Sequence, residues 1–103
     1  MSDVSNNDRF LFIVFYLWCQ RHSKDHTKED FSQVLHIPPE ERDGLDIMAN
    51  YQIIKGGLCP ICWGKHNTKV KPLRGGKLLL TCGYCKTQFH IDPTFQSAEL
   101  VEK

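Results

Sequence analysis

Two Cys-x-x-Cys pairs carry the most specific chemistry in this 103-residue chain. They are Cys59-Pro60-Ile61-Cys62 and Cys82-Gly83-Tyr84-Cys85, and nineteen residues separate them. A gap of two residues lets one tight turn direct both sulfurs at the same ion, so two such pairs suit a tetrahedral Zn²⁺. We expect one structural zinc, because four cysteines close the coordination sphere and leave no open position for a substrate. The alternative is a disulfide pair or four unrelated thiols.

The residues between and after the two pairs have the pattern of a small antiparallel sheet. Polar and apolar residues alternate over 68–73, and Gly75-Gly76 offers a two-residue turn that tolerates positive φ. Residues 78–81 then return to the second pair, and residues 88–91 predict a third strand.

This order of Cys-Pro-x-Cys, hairpin, Cys-x-x-Cys and strand resembles the zinc-ribbon family. The resemblance covers residues 58–92, about a third of the chain. Many ribbons have Gly directly after each Cys pair, whereas this chain has Trp63 and Lys86 there. The metal ligands that the resemblance implies are Cys59, Cys62, Cys82 and Cys85.

The N-terminal part of the chain predicts a helical module over residues 1–57. Residues 10–19 are ten apolar residues in a row, which favours a helix beginning near Arg9, with a buried strand as the alternative. Ten residues are too few to span a bilayer, which needs about 20. A helix that is apolar on all sides needs cover on all sides, so we expect it to bind a partner or a second copy of the chain. The side chains predicted for that face are Phe12, Phe15 and Trp18.

Two more helices are predicted in this module. Residues 27–36 suggest a helix with Thr27 as its N-cap, which Pro38-Pro39 would end. Residues 40–55 predict a third helix, which Gly56 or Gly57 would stop. The expected fold class is α+β, with a three-helix module (1–57), a three-stranded zinc ribbon with four cysteine ligands (58–92) and a frayed acidic tail (93–103).

The charge of the chain is divided along its length although the net charge is only +1. Residues 1–46 contain five Lys/Arg and nine Asp/Glu, whereas residues 47–91 contain seven Lys/Arg and no acidic residue. Four thiolates and one Zn²⁺ would contribute −2, so the ribbon keeps a charge of about +5. A basic surface of this kind favours an anionic partner.

The expected function is therefore binding, because no nucleophile, base and orienting group is recognisable as an enzyme site and no phosphate-binding glycine loop is present. The first hypothesis is a small regulator that binds nucleic acid, or a nucleic-acid machine such as the transcription apparatus, through its basic hairpin. The second is a protein–protein adaptor or inhibitor, such as a phage-type host-modulating protein, in which the ribbon is only structural.

Neither hypothesis involves a membrane or a small-molecule substrate, and the polar N-terminus and the thiols favour a cytoplasmic or nuclear location. The residues predicted to contact the partner are Lys65, Lys69, Lys71, Arg74, Lys77, Lys86 and Trp63.

Histidines near the cysteines offer alternative ligands. His66 follows Cys62 by four residues and His90 follows Cys85 by five, but four cysteines already complete a zinc site. We therefore expect both histidines at the surface or beside the ligands.

Overall fold

The computed structural model describes residues 6–65, 68–94 and 96–101 of the chain, with side chains from Asp8 onward. The chain divides into two compact units, Met1–Ala49 and Asn50–Lys103, rather than at residue 57. Helices come first and a four-stranded antiparallel sheet follows, which confirms the predicted α+β class.

Unit 1 is built around helix α1, Asn6–Arg21. The apolar run thus forms a helix and not a strand. Among the described residues, no helix combines the length and the apolar character needed to cross a bilayer. The buried cluster of this unit consists of Val14, Phe15, Leu17, Cys19, Val34, Ile37, Leu45 and Ala49.

The second predicted helix is wrong in its type and in its start. Only Phe31–His36 is helical, as a 3-10 helix, and its N-cap is Asp30, whose carboxylate accepts the Ser32 N–H. Thr27 does not cap it, because its N–H and its hydroxyl both donate to the Asp25 carboxylate, at 2.9 and 2.6 Å. This local turn competes with a helix start, as is common for Asp and Thr side chains.

Helix α2, Pro39–Lys55, agrees closely with the third predicted helix. Its end is a Schellman motif, in which the Leu58 N–H donates to the Ile53 carbonyl and the Gly57 N–H to the Ile54 carbonyl. Gly57 has a φ of 87°, which a residue with a Cβ adopts only with strain. The motif matters for the metal centre because Cys59 follows it directly.

The sheet of unit 2 has the strand order β1-β2-β3-β4, with β1 at Lys69–Pro72, β2 at Leu78–Thr81, β3 at Gln88–Asp92 and β4 at Ser97–Leu100. Strand β4 lies in the segment predicted as a frayed tail, and it pairs with β3 from Asp92↔Ser97 to Phe89↔Leu100. The turn between β1 and β2 is also longer than the predicted two residues. Pro72 pairs with Leu78, and the Leu73 N–H closes the loop by donating to the Lys77 carbonyl.

The two faces of the sheet differ in character. Strand register places Leu80, Phe89, Ile91 and Ala98 on one face, and all four are buried. Tyr51 and Ile54, from the last turns of α2, pack against the cluster that Leu80, Ile91 and Ala98 form. The opposite face carries mostly polar side chains, and His90 and Glu99 are exposed there. The buried residues of the four strands therefore lie on one face of the sheet.

Candidate metal centre

The four predicted ligands come together in unit 2. The sulfurs of Cys59, Cys62, Cys82 and Cys85 all lie within 4.8 Å of one another. Two of the separations are 3.5 Å (Cys59 to Cys85) and 3.9 Å (Cys62 to Cys82). A tetrahedral ion with Zn–S bonds of about 2.3 Å requires sulfurs about 3.8 Å apart. The four cysteines are therefore placed to hold one metal ion.

The two cysteine turns have the same backbone pattern. In each, the N–H of the first cysteine donates to the carbonyl five residues later, from Cys59 to Gly64 and from Cys82 to Thr87. The N–H four residues after each first cysteine donates back to it, from Trp63 to Cys59 at 2.7 Å and from Lys86 to Cys82 at 3.2 Å. Trp63 and Lys86 both have positive φ, 57° and 64°. The positions at which many ribbons have Gly thus keep the left-handed backbone without it, at a cost of about 1–2 kcal/mol each.

Backbone N–H groups also point at the sulfurs in an equivalent way. Cys82 Sγ accepts from the N–H groups of Tyr84 and Cys85, each at 3.4 Å, and Cys59 Sγ accepts from those of Ile61 and Cys62. Each donor favours a negatively charged sulfur. The two turns are therefore arranged for thiolates, the form in which cysteine binds metal.

The ionisation of the thiols is compatible with a cluster that holds a cation. Burial raises the pKa of the Cys59 thiol to about 12. Burial also acts to raise the pKa of Cys85, but hydrogen bonds from the Thr87 hydroxyl and N–H, with those from Cys82 and Cys59, outweigh it and lower that pKa to about 6. Sulfurs this close oppose one another's ionisation, because like charges repel. A divalent cation reverses that repulsion and lets all four become thiolates.

Strand β1 and the hairpin tip place four of the predicted contact residues on one exposed surface. We call Lys69, Lys71, Arg74 and Lys77 the basic edge. All four side chains are exposed, as is every residue of β1. In the part of the chain that the structure describes, none of the four forms an ion pair. Lys65 and Lys86 are also exposed, and the Lys86 ammonium donates to the Gly83 carbonyl at 3.2 Å.

The aromatic residues of the ribbon separate into different roles. Phe89 is only 1 % exposed and belongs to the core, and Trp63 is half-buried. Tyr84 is 76 % exposed. The sequence pointed to Trp63 as the aromatic contact residue, whereas exposure favours Tyr84. In the sequence, Trp63, Tyr84 and Phe89 all lie among lysines and could all stack on bases, so only their exposure separates them.

The face predicted on α1 is only partly exposed. Phe15 is 2 % exposed and lies in the core, against the ring of Phe31 at 5.5 Å, so its assignment to a contact surface is wrong. Trp18 is half-buried, and the Lys24 ammonium lies 5.0 Å from its ring centroid. Phe12 remains 51 % exposed although its ring stacks on that of Phe31. The 3-10 helix Phe31–His36 thus covers more of the apolar run 10–19 than we expected from the sequence.

The alternative histidine ligands do not join the cluster within the described residues. His90 is exposed on the open face of the sheet, in register with Glu99, and His66 lies outside the described residues. Among the residues that the structure describes, only the four cysteines form a group able to hold a metal.

Comparisons of the chain with protein-family models, with curated proteins and with solved structures give no significant match. The likeness to zinc ribbons therefore stays a prediction from the cysteine spacing. The geometry itself supports a narrower statement, that unit 2 has a four-cysteine centre placed to hold a metal ion.

Proposed function

We propose that residues 58–101 form a zinc ribbon with one structural Zn²⁺ bound by Cys59, Cys62, Cys82 and Cys85. Four thiolates suit zinc and iron, and they leave no position open for catalysis. The observation that supports this most is the sulfur separation of 3.5–3.9 Å in two pairs from different turns. Elemental analysis of protein prepared in reducing buffer should give one zinc per chain. Iron in its place, or a disulfide between these cysteines, would contradict the proposal.

The proposed role of the ribbon is to bind an anionic partner, either nucleic acid or a nucleic-acid machine, through the basic edge. The observation that carries this proposal is that four exposed cations share one strand and its adjoining loop, with no ion pair among the described residues. Surface lysines that only keep a protein soluble are commonly mixed with acidic residues. Here residues 47–91 contain no acidic residue at all.

The structure describes two acidic residues in unit 2, Asp92 and Glu99. Asp92 ends β3, one residue beyond the Leu78↔Ile91 pair and on the side of Lys77, so it opposes the basic edge at the hairpin tip but not along β1. Glu99 is on β4, at the opposite side of the sheet from β1. Three strand spacings of about 4.8 Å put it about 14 Å from β1. That distance exceeds the screening length of about 8 Å at physiological ionic strength. A polyanion at β1 would therefore experience the lysines with little opposition from Glu99.

The test is the salt dependence of binding to random-sequence nucleic acid. Each lysine that reaches a phosphate displaces a counterion, so Lys71→Gln with Lys77→Gln should make the slope of log affinity against log salt shallower by roughly one to two. A matched control, Lys24→Gln with Lys28→Gln, removes the same charge from unit 1 and should leave the slope unchanged. Equal slopes for both double variants would contradict a role for the basic edge.

A second candidate function is a protein–protein adaptor or inhibitor. One observation favours it, the exposure of large apolar side chains in unit 1, where Phe12 is 51 % and Leu35 71 % exposed. In this case the chain should co-purify with one protein and bind random nucleic acid no better than the Lys71→Gln, Lys77→Gln variant does. Phe12→Ser should then abolish binding to that protein.

A further inference from the structure

Tyr84 is the most exposed of the large apolar side chains that the structure describes, at 76 %. Its exposure is not a sign of a loosely held loop. The Tyr84 N–H donates to Cys82 Sγ at 3.4 Å, and the turn is closed by the Lys86 N–H and the Cys82 carbonyl at 3.2 Å. A metal on the sulfurs would fix this turn further. Most of the surface of this side chain is therefore accessible, while hydrogen bonds hold the backbone of its turn.

The surroundings of Tyr84 are cationic. The Lys86 ammonium donates to the Gly83 carbonyl, so its charge is held within the same turn. Strand β1 also leads to this turn, since Lys69 pairs with Thr81, the residue directly before Cys82. The basic edge thus runs from the hairpin tip along β1 to the end of the sheet at which the turn with Tyr84 begins. Along this path the chain offers cations for phosphates and, at its end, one aromatic ring.

We propose that the ribbon binds single-stranded nucleic acid, with the phosphates on the basic edge and one unpaired base stacked on Tyr84. This inference rests on the proposed function and goes further by naming the form of the polyanion and the aromatic contact. Bases in a duplex already stack on each other and present only their edges in the grooves. An aromatic ring beside a row of cations is instead the arrangement that binds unpaired bases, because every base has a face on which a ring can stack.

The effect of removing the ring follows from the strength of such stacking. Loss of one base–aromatic stack weakens binding by roughly 5- to 150-fold. The loss should occur without a change in the salt slope, because a tyrosine ring displaces no counterion. This separates the role of Tyr84 from that of the lysines in a single set of titrations.

The experiment is fluorescence anisotropy of the metal-loaded full chain with two labelled probes. One is an oligothymidine of about ten nucleotides, within the site sizes found for small single-strand-binding domains, and the other is a duplex of the same length. The unchanged protein should prefer the oligothymidine. Tyr84→Ala and Tyr84→Leu should both weaken binding to it by the amount given above, whereas Tyr84→Phe should stay within about twofold because the ring remains. Duplex binding should be the same in all of them.

The first cysteine turn provides the matched control. Ile61 occupies the position equivalent to Tyr84, is 51 % exposed and has no ring. Ile61→Ala should leave oligothymidine binding unchanged, and metal content should stay at one per chain in every variant. Unchanged binding by Tyr84→Ala and Tyr84→Leu, equal weakening on the duplex, or a preference of the unchanged protein for duplex would overturn the inference. Binding of neither probe by the unchanged protein would instead contradict the proposed function.

Discussion

Removing the metal should unfold unit 2 and leave unit 1 folded. The buried cluster of unit 1 contains only residues of Met1–Ala49, and that of unit 2 only residues of Asn50–Lys103. Helix α2 crosses this boundary, and its last six residues, 50–55, belong to unit 2. Tyr51 and Ile54 pack on the sheet cluster, so those six residues should lose their support together with the strands.

The size of the effect can be judged from the two largest stabilising terms of unit 2. Four large side chains, Ile53, Leu80, Phe89 and Ile91, are buried in it, and each contributes about 1.5–3 kcal/mol. A structural zinc contributes about 10–16 kcal/mol in small zinc-binding peptides. Because the metal contributes more than the buried side chains, its loss should shift unit 2 to the unfolded side. The remaining eleven residues of α2 keep Leu45 and Ala49 in the unit 1 core.

Amide hydrogen exchange before and after chelation measures this directly. Protection should be lost in β2, β3 and β4 and in residues 50–55, and retained in α1. Cys82→Ser should have the same effect as the chelator. Cys19→Ser is the matched control, because Cys19 is buried in unit 1 and is not among the four clustered cysteines. Strands that stay protected without metal, or an α1 that opens together with them, would refute the reasoning.

Three further predictions concern the core, the cap and the exposed apolar face. Phe89→Ala should destabilise unit 2 by about 3–5 kcal/mol in chemical denaturation and should weaken metal binding. Val70, on the same face of the sheet, is 54 % exposed, so Val70→Ala should change stability by less than about 0.5 kcal/mol. The Ser32 N–H and hydroxyl lower the pKa of Asp30, so this cap stabilises above the unfolded pKa of about 3.9 and is lost as pH falls through the lower folded value. Asp30→Asn should flatten the acid side of the pH–stability profile of unit 1 in thermal melts, and an unchanged profile would contradict this. Sedimentation should show self-association of the unchanged chain and less of it for Phe12→Ser, whereas a monomer at every concentration would count against an oligomer.

The parts that the sequence predicted well are those that depend on local chemistry. The spacing of the cysteines predicted a cluster because a two-residue gap forces both sulfurs of a pair to one side of a turn. Gly75 and Gly76 were predicted at the hairpin turn, and both have positive φ, 81° and 82°. The end of α2 at Gly56-Gly57 followed from the same conformational argument.

The parts that the sequence did not predict depend on contacts between distant segments. Residues 97–100 alternate polar and apolar residues, but the run has only four residues and its Ala and Glu are uncommon in strands, so the local signal is weak. They become a strand because β3 offers an unpaired edge and Ala98 is small enough to be fully buried beside Ile91. Phe15 was assigned to a surface for a related reason, since the run 10–19 is apolar all round and shows no preferred face. Its partner, Phe31, lies sixteen residues later.

The two cysteine turns are equivalent, so a comparison of their side chains shows which of them the metal centre depends on. Both turns close with the same hydrogen bonds and have a positive φ at the same position. The backbone and the sulfurs therefore constrain the side chains of the two turns in the same way. Ile61 and Tyr84 therefore occupy equivalent positions. One side chain is aliphatic and the other aromatic, and both are exposed. The metal centre does not require the tyrosine ring, since the turn with Ile61 places its sulfurs equally well. The Tyr84 ring, 76 % exposed, is therefore the group that we propose for stacking with a ligand, because the placement of the sulfurs does not depend on it.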